Sequence, residues 1–342
     1  MDIRAVTETV WSLIRRRLGE LSPRARLTGL AMLLLAAALF EPRWNTTRPA
    51  VDDVVALDIT QSMNVLDYEL AGRPVSRLAF AKHVLRQTLA ELPCGSRIGW
   101  AVFTEYRVLL LVAPVEVCDN YHELIATLDR IDACMSWAGA SEVAKGLYWG
   151  LRTLKELGGN HGLVFVTDGH EAPPLSPLHK PVYDGKPGEV RGLIVGVGAD
   201  ALMPIPKNDP EGRAMGFWGA DEVMQTDGYS AGRGGSGESM VDETGKAEQR
   251  MKPTMTEHLS SLKSAYLQGL ARDTALSYHR LSDSPSLLRA LMSPELARPA
   301  PYRADVRLLL AGLALILLVA AHLPALRPLR LAGLFRRVSS RT

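Results

Sequence analysis

Between residues 54 and 292, short apolar runs rich in β-branched residues alternate with longer segments whose apolar residues recur at helical spacing. The predicted strands cover residues 54–60, 97–104, 108–115, 162–169, 191–198 and 276–281. The predicted helices cover residues 76–92, 120–131, 141–157, 257–272 and 284–292. Strands that alternate with helices favour a mainly parallel sheet covered by helices on both faces. The sequence therefore predicts the α/β class, with a doubly wound, Rossmann-like, six-stranded sheet.

Two segments depart from this alternation. Only Glu105, Tyr106 and Arg107 separate the second and third predicted strands, so we expect an antiparallel hairpin and one antiparallel edge strand. Residues 200–252 are rich in Gly, Pro and polar residues, which predicts a long loop. The centre of this loop, about 226–252, has a composition typical of disorder.

An uncharged apolar run lies on each side of this region. The first, at 27–40, is shorter than the ~20 residues of a typical spanning helix. Segment 27–43 is therefore interpreted as a signal anchor, a cleaved signal peptide or a short transmembrane span. The second run, at 308–326, lies beside a basic tail, which favours a transmembrane helix at 307–326 over a buried core helix.

Basic residues cluster on the outer side of each apolar run, in segments 1–26 and 327–342. Positively charged residues near the ends of membrane spans stay on the cytoplasmic side. We therefore expect both termini in the cytoplasm and the domain at 51–292 in the periplasm, anchored to the inner membrane of a bacterium.

Composition and motifs argue against several ligands. The formal net charge is +2 and no basic face is concentrated within the domain, so nucleic acid is not an expected partner. No phosphate-binding glycine motif follows a predicted strand, which argues against a nucleotide. The histidines at 161, 179, 258, 279 and 322 lack the spacing of a zinc site.

Oxygen-bearing side chains gather where the predicted strands end. Asp58, Thr60 and Ser62 stand at alternate positions at the end of the first strand, Ser141 begins a helix, and Asp168 ends another strand. Ligands of open α/β sheets bind at the carboxyl ends of the strands. Two buried carboxylates require a counter-charge, and a hard dication takes about six oxygen ligands. These five residues therefore predict a metal site.

The same residues resemble a known site. The segment DITQS, from Asp58 to Ser62, resembles the DxSxS motif of the metal-ion-dependent adhesion site in von Willebrand factor type A (vWA) domains. ASEVAKGL is similar to that family's segment with the metal-bridging Thr, and VFVTDG to its strand ending in Thr-Asp-Gly. The sequence departs from the family at Thr60, where Ser is usual, at Ser141, where Thr is usual, and at Ala140, where Gly is usual.

This resemblance implies a binding module rather than an enzyme. The cation would be Mg²⁺ first, with Ca²⁺ or Mn²⁺ as alternatives, and an Asp or Glu of a protein partner would complete its coordination. A metal-dependent hydrolase that uses Asp58 and Asp168 is the alternative, and His170 is its candidate general base. The candidate partner-binding residues are Asn64, Trp137, His170, Glu171, Phe217 and Trp218.

Further segments resemble a narrower group, the MxaL-type accessory proteins encoded with periplasmic methanol dehydrogenase. They include LPCGSRIGWAVFTEYR, TDGHEAPPL, GFWGADEV and EHLSSLKSAYLQGLA. This resemblance implies a role in assembly or maturation of the dehydrogenase, including supply of its Ca²⁺. Two alternatives are a vWA partner of a MoxR-type AAA+ ATPase with a different client, and a stress or adhesion protein of the same fold.

The fold that the resemblance implies also bears on the cysteines. Cys94 precedes the second strand and Cys118 follows the third, and these strand ends meet because the two strands are antiparallel. An oxidising periplasm would permit a disulfide between them, with two buried free thiols as the alternative. Cys134 would then remain unpaired.

Overall fold

The computed structural model describes residues 22–176, 180–209, 211–226 and 255–323. The chain divides into two compact units, Thr47–Ala300 and the combined segments Met1–Thr46 and Pro301–Thr342. Several predictions lie outside the described residues: most of the basic segment 1–26, the tail 327–342, the end of the second apolar run and the centre of the loop at 200–252.

The described strands are β1 (Arg43–Ala50), β2 (Asp52–Asp58), β3 (Tyr68–Leu70), β4 (Arg73–Val75), β5 (Arg97–Thr104), β6 (Arg107–Glu116), β7 (Gly162–Thr167), β8 (Gly192–Gly196), β9 (Met203–Pro204), β10 (Pro206–Asn208), β11 (Ala214–Phe217), β12 (Leu259–Ser260), β13 (Ser277–Arg280) and β14 (Arg298–Asp305). The described helices are α1 (Pro23–Ala38), α2 (Arg77–Glu91), α3 (Tyr121–Arg130), α4 (Val143–Leu157), α5 (Ser264–Thr274), α6 (Ser284–Leu291) and α7 (Arg307–His322).

Six strands of the larger unit form one sheet in the order β13-β8-β7-β2-β5-β6. All neighbours are parallel except β5 and β6, which pair antiparallel at the edge of the sheet. The predicted six-stranded, mainly parallel sheet with one antiparallel edge strand is therefore confirmed. Its central strands are buried along almost their whole length, which explains their continuous apolar runs.

Helices cover both faces of this sheet because successive strand residues point to opposite sides. Val55 and Leu57 of β2 belong to the core beneath α2, α3 and α6. Val54 and Ala56 belong to the core beneath α4 and α5. Each helix presents one apolar stripe, and α4 ends at Gly158, whose φ of 75° favours glycine.

A disulfide between Cys94 and Cys118, whose Cα atoms lie 5.2 Å apart, links β5 and β6 at the end of the hairpin opposite its turn. The remaining cysteine, Cys134, is exposed and free. The disulfide joins the segment before β5 to the segment after β6. The edge strand β6 is therefore attached to β5 both by the disulfide and by the turn.

Two predicted segments differ in the structure. The helix predicted at 257–272 begins only at Ser264, because Leu259 and Ser260 instead pair with Met203 and Pro204 as β12 and β9. The loop predicted at 200–252 contains a short antiparallel hairpin, β10 and β11, which returns the chain towards the carboxyl ends of the strands. The backbone N–H of Trp218 donates to the carbonyl of Ile205 at the base of this hairpin.

In the smaller unit, the apolar helices α1 and α7 pack against each other, with Ala31, Ala314 and Ala321 buried. Each helix has 16 residues. Such a helix is about 24 Å long, whereas the hydrocarbon core of a bilayer is about 30 Å thick. Within the described residues no helix is both long and apolar enough to cross a membrane, so the spans predicted at 27–43 and 307–326 are not found there.

Candidate metal centre

The candidate centre lies at the carboxyl edge of the sheet, where the adjacent parallel strands β2 and β7 end side by side. Asp58 is the last residue of β2, and Asp168 directly follows β7. Both carboxylates are completely buried. The strand pairing therefore brings together two acidic residues that are far apart in the sequence.

The carboxylate of Asp58 is fixed by three hydrogen bonds. Its Oδ1 accepts the backbone N–H of Thr60 at 2.9 Å and the Thr60 hydroxyl at 2.6 Å. Its Oδ2 accepts the Thr167 hydroxyl at 2.6 Å. Burial, with the neighbouring carboxylate of Asp168, raises the pKa of Asp58 to about 7, although the bonds from Thr167 and Thr60 lower it.

The hydroxyls of Thr60 and Ser62 lie on the turn that follows β2. The turn is a short 3₁₀ helix, Gln61–Asn64, which brings the two hydroxyl oxygens within 3.4 Å of each other. The Thr60 hydroxyl gives its proton to Asp58, so the lone pairs of its oxygen remain available to a cation. Both side chains are buried but line the same cavity.

Ser141 reaches this edge from the segment before α4. Its backbone pairs with Ala172, through N–H···O bonds of 2.7 Å in both directions, and lies beside Glu105 at the end of β5. The Ser141 hydroxyl is buried, has no hydrogen-bond partner in the described part of the chain and belongs to a residue that lines the cavity with Thr60 and Ser62. An unpaired buried hydroxyl is costly, so this oxygen fits the role of a ligand.

Arg77 belongs to this centre but was not predicted from the sequence. Its side chain is fully buried, and Nη1 lies 2.5 Å from Oδ2 of Asp168, while Nη2 lies 2.7 Å from Oδ2 of Asp67. The guanidinium also donates to the hydroxyl of Ser260, which in turn donates to Asp168 at 3.1 Å. A positive charge in the first turn of a helix is unfavourable for the helix dipole. The position of Arg77 at the start of α2 was therefore the sequence signal that could have identified this residue.

The residues present fit a hard dication. The Arg77 guanidinium contacts two buried carboxylates, those of Asp67 and Asp168, and the buried carboxylate of Asp58 lies at the same edge of the sheet, so acidic groups outnumber this one guanidinium among the described residues of the centre. Arg77 and Ser260 donate to Oδ2 of Asp168, while Oδ1 accepts the backbone N–H of His170, at 2.9 Å. Carboxylate and hydroxyl oxygens are the ligands that Mg²⁺ and Ca²⁺ prefer.

A cavity of about 320 Å³ opens beside these hydroxyls, and several candidate partner-binding residues line it. His170 is buried, its Nδ1 has no hydrogen-bond partner within the segments that the structure describes, and burial lowers the pKa of this side chain. Glu171 is engaged within the chain, because its carboxylate accepts the backbone N–H groups of Val143 and Ala144 and the Tyr266 hydroxyl. Burial raises the pKa of Glu171 to about 7, opposed by these hydrogen bonds. Trp218 forms part of the cavity wall.

The other candidates lie outside this cavity. Asn64 and Trp137 line a neighbouring hollow of about 310 Å³, where the indole N–H of Trp137 donates to Glu105. Phe217 is 59% exposed and lines neither hollow. The structure thus distributes the partner-binding candidates over two adjacent hollows and the exposed hairpin.

No family model matches the chain, and no curated protein shows significant similarity to it. Solved structures do match. An aerotolerance-related membrane protein from Bacteroides fragilis NCTC 9343, carrying multiple mutations to serine, is 18% identical, with 72% of this chain and 98% of that one covered and a TM-score of 0.45. The conserved hypothetical protein BatB from Bacteroides thetaiotaomicron is 18% identical, with 71% and 96% covered and a TM-score of 0.43.

A von Willebrand factor type A protein from Catenulispora acidiphila also matches, at 10% identity and a TM-score of 0.34, covering 79% of this chain and 44% of that one. At such identities and TM-scores the matches say nothing of function. Any functional conclusion therefore rests on the strand order and on the side chains at the carboxyl edge of the sheet.

Proposed function

We propose that this chain is a vWA-type module that binds a protein partner through a divalent cation, Mg²⁺ in the first place, with Ca²⁺ or Mn²⁺ as alternatives. The observation that carries this proposal is the Ser141 hydroxyl, which is buried without a hydrogen-bond partner among the described residues and belongs to a residue that lines one cavity with Thr60 and Ser62. The buried carboxylates of Asp58 and Asp168 at the same edge supply the negative charge.

Each residue has a distinct part in binding. A bound dication would supply a compact positive charge and a coordination position for a carboxylate of the partner. Thr167 and Thr60 hold the Asp58 carboxylate in place, and Arg77 holds that of Asp168. Thr60, Ser62 and Ser141 line the cavity, from which the partner would approach. Recognition would therefore be reversible and specific for an acidic side chain.

Binding rather than catalysis is the function that these contacts favour. A hydrolase would need a nucleophile or a metal-bound water beside a general base. Ser141 and His170 line the same cavity, yet the Ser141 hydroxyl and Nδ1 of His170 are both without hydrogen-bond partners, so they do not bond each other. Among the described contacts at this cavity, no serine is therefore hydrogen-bonded to a histidine that could activate it.

We further propose that the smaller unit anchors the protein to a membrane and that the partner belongs to the periplasmic methanol dehydrogenase system, whose assembly or Ca²⁺ supply it would assist. Large apolar side chains are exposed along α1 and α7, including Met32, Leu33, Leu308 and Ile316, each at least 64% exposed. Apolar surface of this kind usually contacts lipid or another protein. The alternative, which the sequence resemblance leaves open, is that the chain is the vWA partner of a MoxR-type ATPase with a different client.

The metal is tested first by titrating Mg²⁺ into the purified protein by calorimetry. We expect Asp58→Asn and Ser141→Ala to weaken Mg²⁺ binding at least tenfold. Asp53→Asn is the matched control, because Asp53 is a buried carboxylate at the opposite end of the same strand and should leave the affinity unchanged. Equal affinities of Asp58→Asn and Asp53→Asn would refute the metal site.

The partner is tested by affinity capture from a periplasmic membrane fraction, with and without a chelator. We expect a partner to be retained by the unsubstituted chain in Mg²⁺ and to be lost with the chelator or with Asp58→Asn. A partner that stays bound in the chelator would show that recognition does not need the cation. Recovery of a methanol dehydrogenase subunit would support the proposed client, and its consistent absence would favour the alternative.

A further inference from the structure

We infer that the cavity beside the metal centre binds a large apolar side chain that adjoins the partner's acidic residue, so that recognition requires both groups. This inference rests on the proposed function and specifies the partner that would satisfy it. The occupant is a segment of a protein in which Asp or Glu is followed or preceded closely by Leu, Ile, Met or Phe.

The cavity combines two kinds of lining. Thr60, Ser62 and Ser141 contribute hydroxyls, whereas the apolar lining comes from Pro173, Pro174, Ile205, Trp218, Val223 and Met224. Its volume of about 320 Å³ lies at the lower end of the range of ligand pockets. A carboxylate alone would satisfy the hydroxyl-bearing part but would leave the apolar lining in contact with water.

The wall formed by Trp218 is held in place before any partner arrives. Its indole N–H donates to the side chain of Gln61, and the Nζ of Lys207 lies 4.6 Å from the centre of its ring. The backbone N–H of Trp218 donates to the carbonyl of Ile205 at 3.0 Å. Gln61 lies between the two metal-site hydroxyls in sequence, so the wall and the centre share one element. A wall fixed in this way lowers the entropy cost of binding.

The charges around the cavity favour an apolar occupant over a basic one. The carboxylate of Glu171 is engaged by the first N–H groups of α4 and by Tyr266. The carboxylate of Glu222 pairs with Lys207. These two acidic side chains of the lining therefore already have partners, and neither requires a cation from the ligand. The third acidic residue that lines the cavity, Glu257, also interacts within the chain.

His170 provides a second, independent sign of a ligand. The residue is only 4% exposed, none of the described residues forms a hydrogen bond with its Nδ1, and it lines the same cavity. A buried ring nitrogen without a partner costs free energy that a bound group would recover. The peptide backbone between the acidic and the apolar residue of the partner would offer this nitrogen a polar group.

The experiment uses a phage-displayed library of random linear peptides, selected on the immobilised full chain in Mg²⁺ and eluted with EDTA. We expect the eluted peptides to be enriched in Asp or Glu with a large apolar residue within two positions. Synthetic peptides should then lose about 10- to 100-fold in affinity when the apolar residue is changed to Ala. Acidic peptides enriched without an apolar neighbour would overturn the inference.

Variants of the wall locate the apolar side chain. Trp218→Ala and Met224→Ala should weaken binding of the selected peptide at least tenfold, while calorimetry shows unchanged Mg²⁺ affinity and thus an intact fold. Met215→Ala is the matched control, because Met215 is exposed on the same hairpin and does not line the cavity. Unchanged peptide affinity in both wall variants would also overturn the inference. A library that yields no EDTA-eluted peptide would instead count against the proposed function itself.

Discussion

Arg77 places a permanent positive charge between two carboxylates that belong to different parts of the chain. Asp67 follows the turn after β2, and Asp168 follows β7, and the guanidinium contacts both while being fully buried. Its planar fork of donors suits this bridging role better than an ammonium would. Arg77 therefore couples the folding of α2 to the geometry of the candidate metal centre.

We expect Arg77→Gln to destabilise the metal-free protein by about 3–5 kcal/mol, because two carboxylates would lose their buried partner. The measurement is urea unfolding in EDTA. Arg280→Gln is the matched control, since Arg280 pairs with Asp200 at 3.0 Å but both side chains are substantially exposed. An exposed pair contributes at most about 1 kcal/mol. A loss for Arg77→Gln no greater than that of Arg280→Gln would contradict the bridging role.

Asp53 makes the stability of the protein depend on pH. It is fully buried in β2, and burial raises its pKa from 3.8 to about 6, although Arg191 opposes this shift. The folded protein therefore binds a proton at pH values where the unfolded chain has lost it. The contribution of Asp53 to the free energy of unfolding is fully present below the pKa that Asp53 has in the unfolded chain. It is lost as the pH rises through about 6, the pKa in the folded protein.

Replacing Asp53 by Asn should remove this dependence. The free energy of unfolding of Asp53→Asn, relative to the unsubstituted protein, should rise by about 2–3 kcal/mol between about pH 4 and pH 7. Urea unfolding at several pH values measures the difference, and the exposed Asp221→Asn serves as a control that should follow the unsubstituted protein. Parallel pH profiles for Asp53→Asn and the control would show that Asp53 titrates at its ordinary pKa.

Among the elements, α4 packs closely against the sheet at Gly146. A Cβ atom at Gly146 would lie 2.0 Å from the ring of Phe103 in β5. That ring is fully buried and packs against Phe165, with ring centres 5.2 Å apart, so it has little room to move. Gly146 therefore allows the close contact that positions Ser141, just before α4, beside the ends of β5 and β7.

Gly146→Ala should lower the thermal midpoint, because overpacking costs about 1–3 kcal/mol. The loss must exceed the gain of about 1 kcal/mol that alanine brings to a helix interior. Gly269→Ala in α5 is the matched control, because its new Cβ would meet only the end of Arg272 at 4.0 Å. The control should be neutral or slightly stabilised. Equal thermal midpoints for the two variants would show that the Phe103 ring moves aside without a loss of stability.

The elements predicted correctly from the sequence are those whose own residues determine them. The strands of the sheet are continuous apolar runs, and Ser76 caps α2 through its hydroxyl as its type and position predict. Residues 259–260 were wrongly placed in a helix because their pairing with Met203 and Pro204 depends on chain far away in sequence. Likewise, Ser260 reaches Asp168 across 92 positions, which no local pattern encodes.

At the scale of the whole molecule, the larger unit carries the candidate centre and the disulfide, and the smaller unit carries the exposed apolar helices. Disulfides persist mainly in oxidising compartments. We therefore propose that the larger unit lies on the periplasmic side, where such a disulfide would persist. The chain has three cysteines, and pairing of Cys94 with Cys118 leaves Cys134 as a single exposed thiol that reports which side it occupies.

A membrane-impermeant maleimide should label Cys134 in intact spheroplasts, without lysis, if the larger unit faces the periplasm. Desolvation and the nearby Asp132 raise the pKa of the Cys134 thiol, so the reaction is run at about pH 8 to obtain enough thiolate. Cys134→Ser should remain unlabelled, because the other two cysteines are joined to each other. Adding a reductant before the label should make Cys94 and Cys118 reactive in that variant. Labelling of Cys134 that appears only after lysis would place the larger unit in the cytoplasm and overturn the proposed orientation.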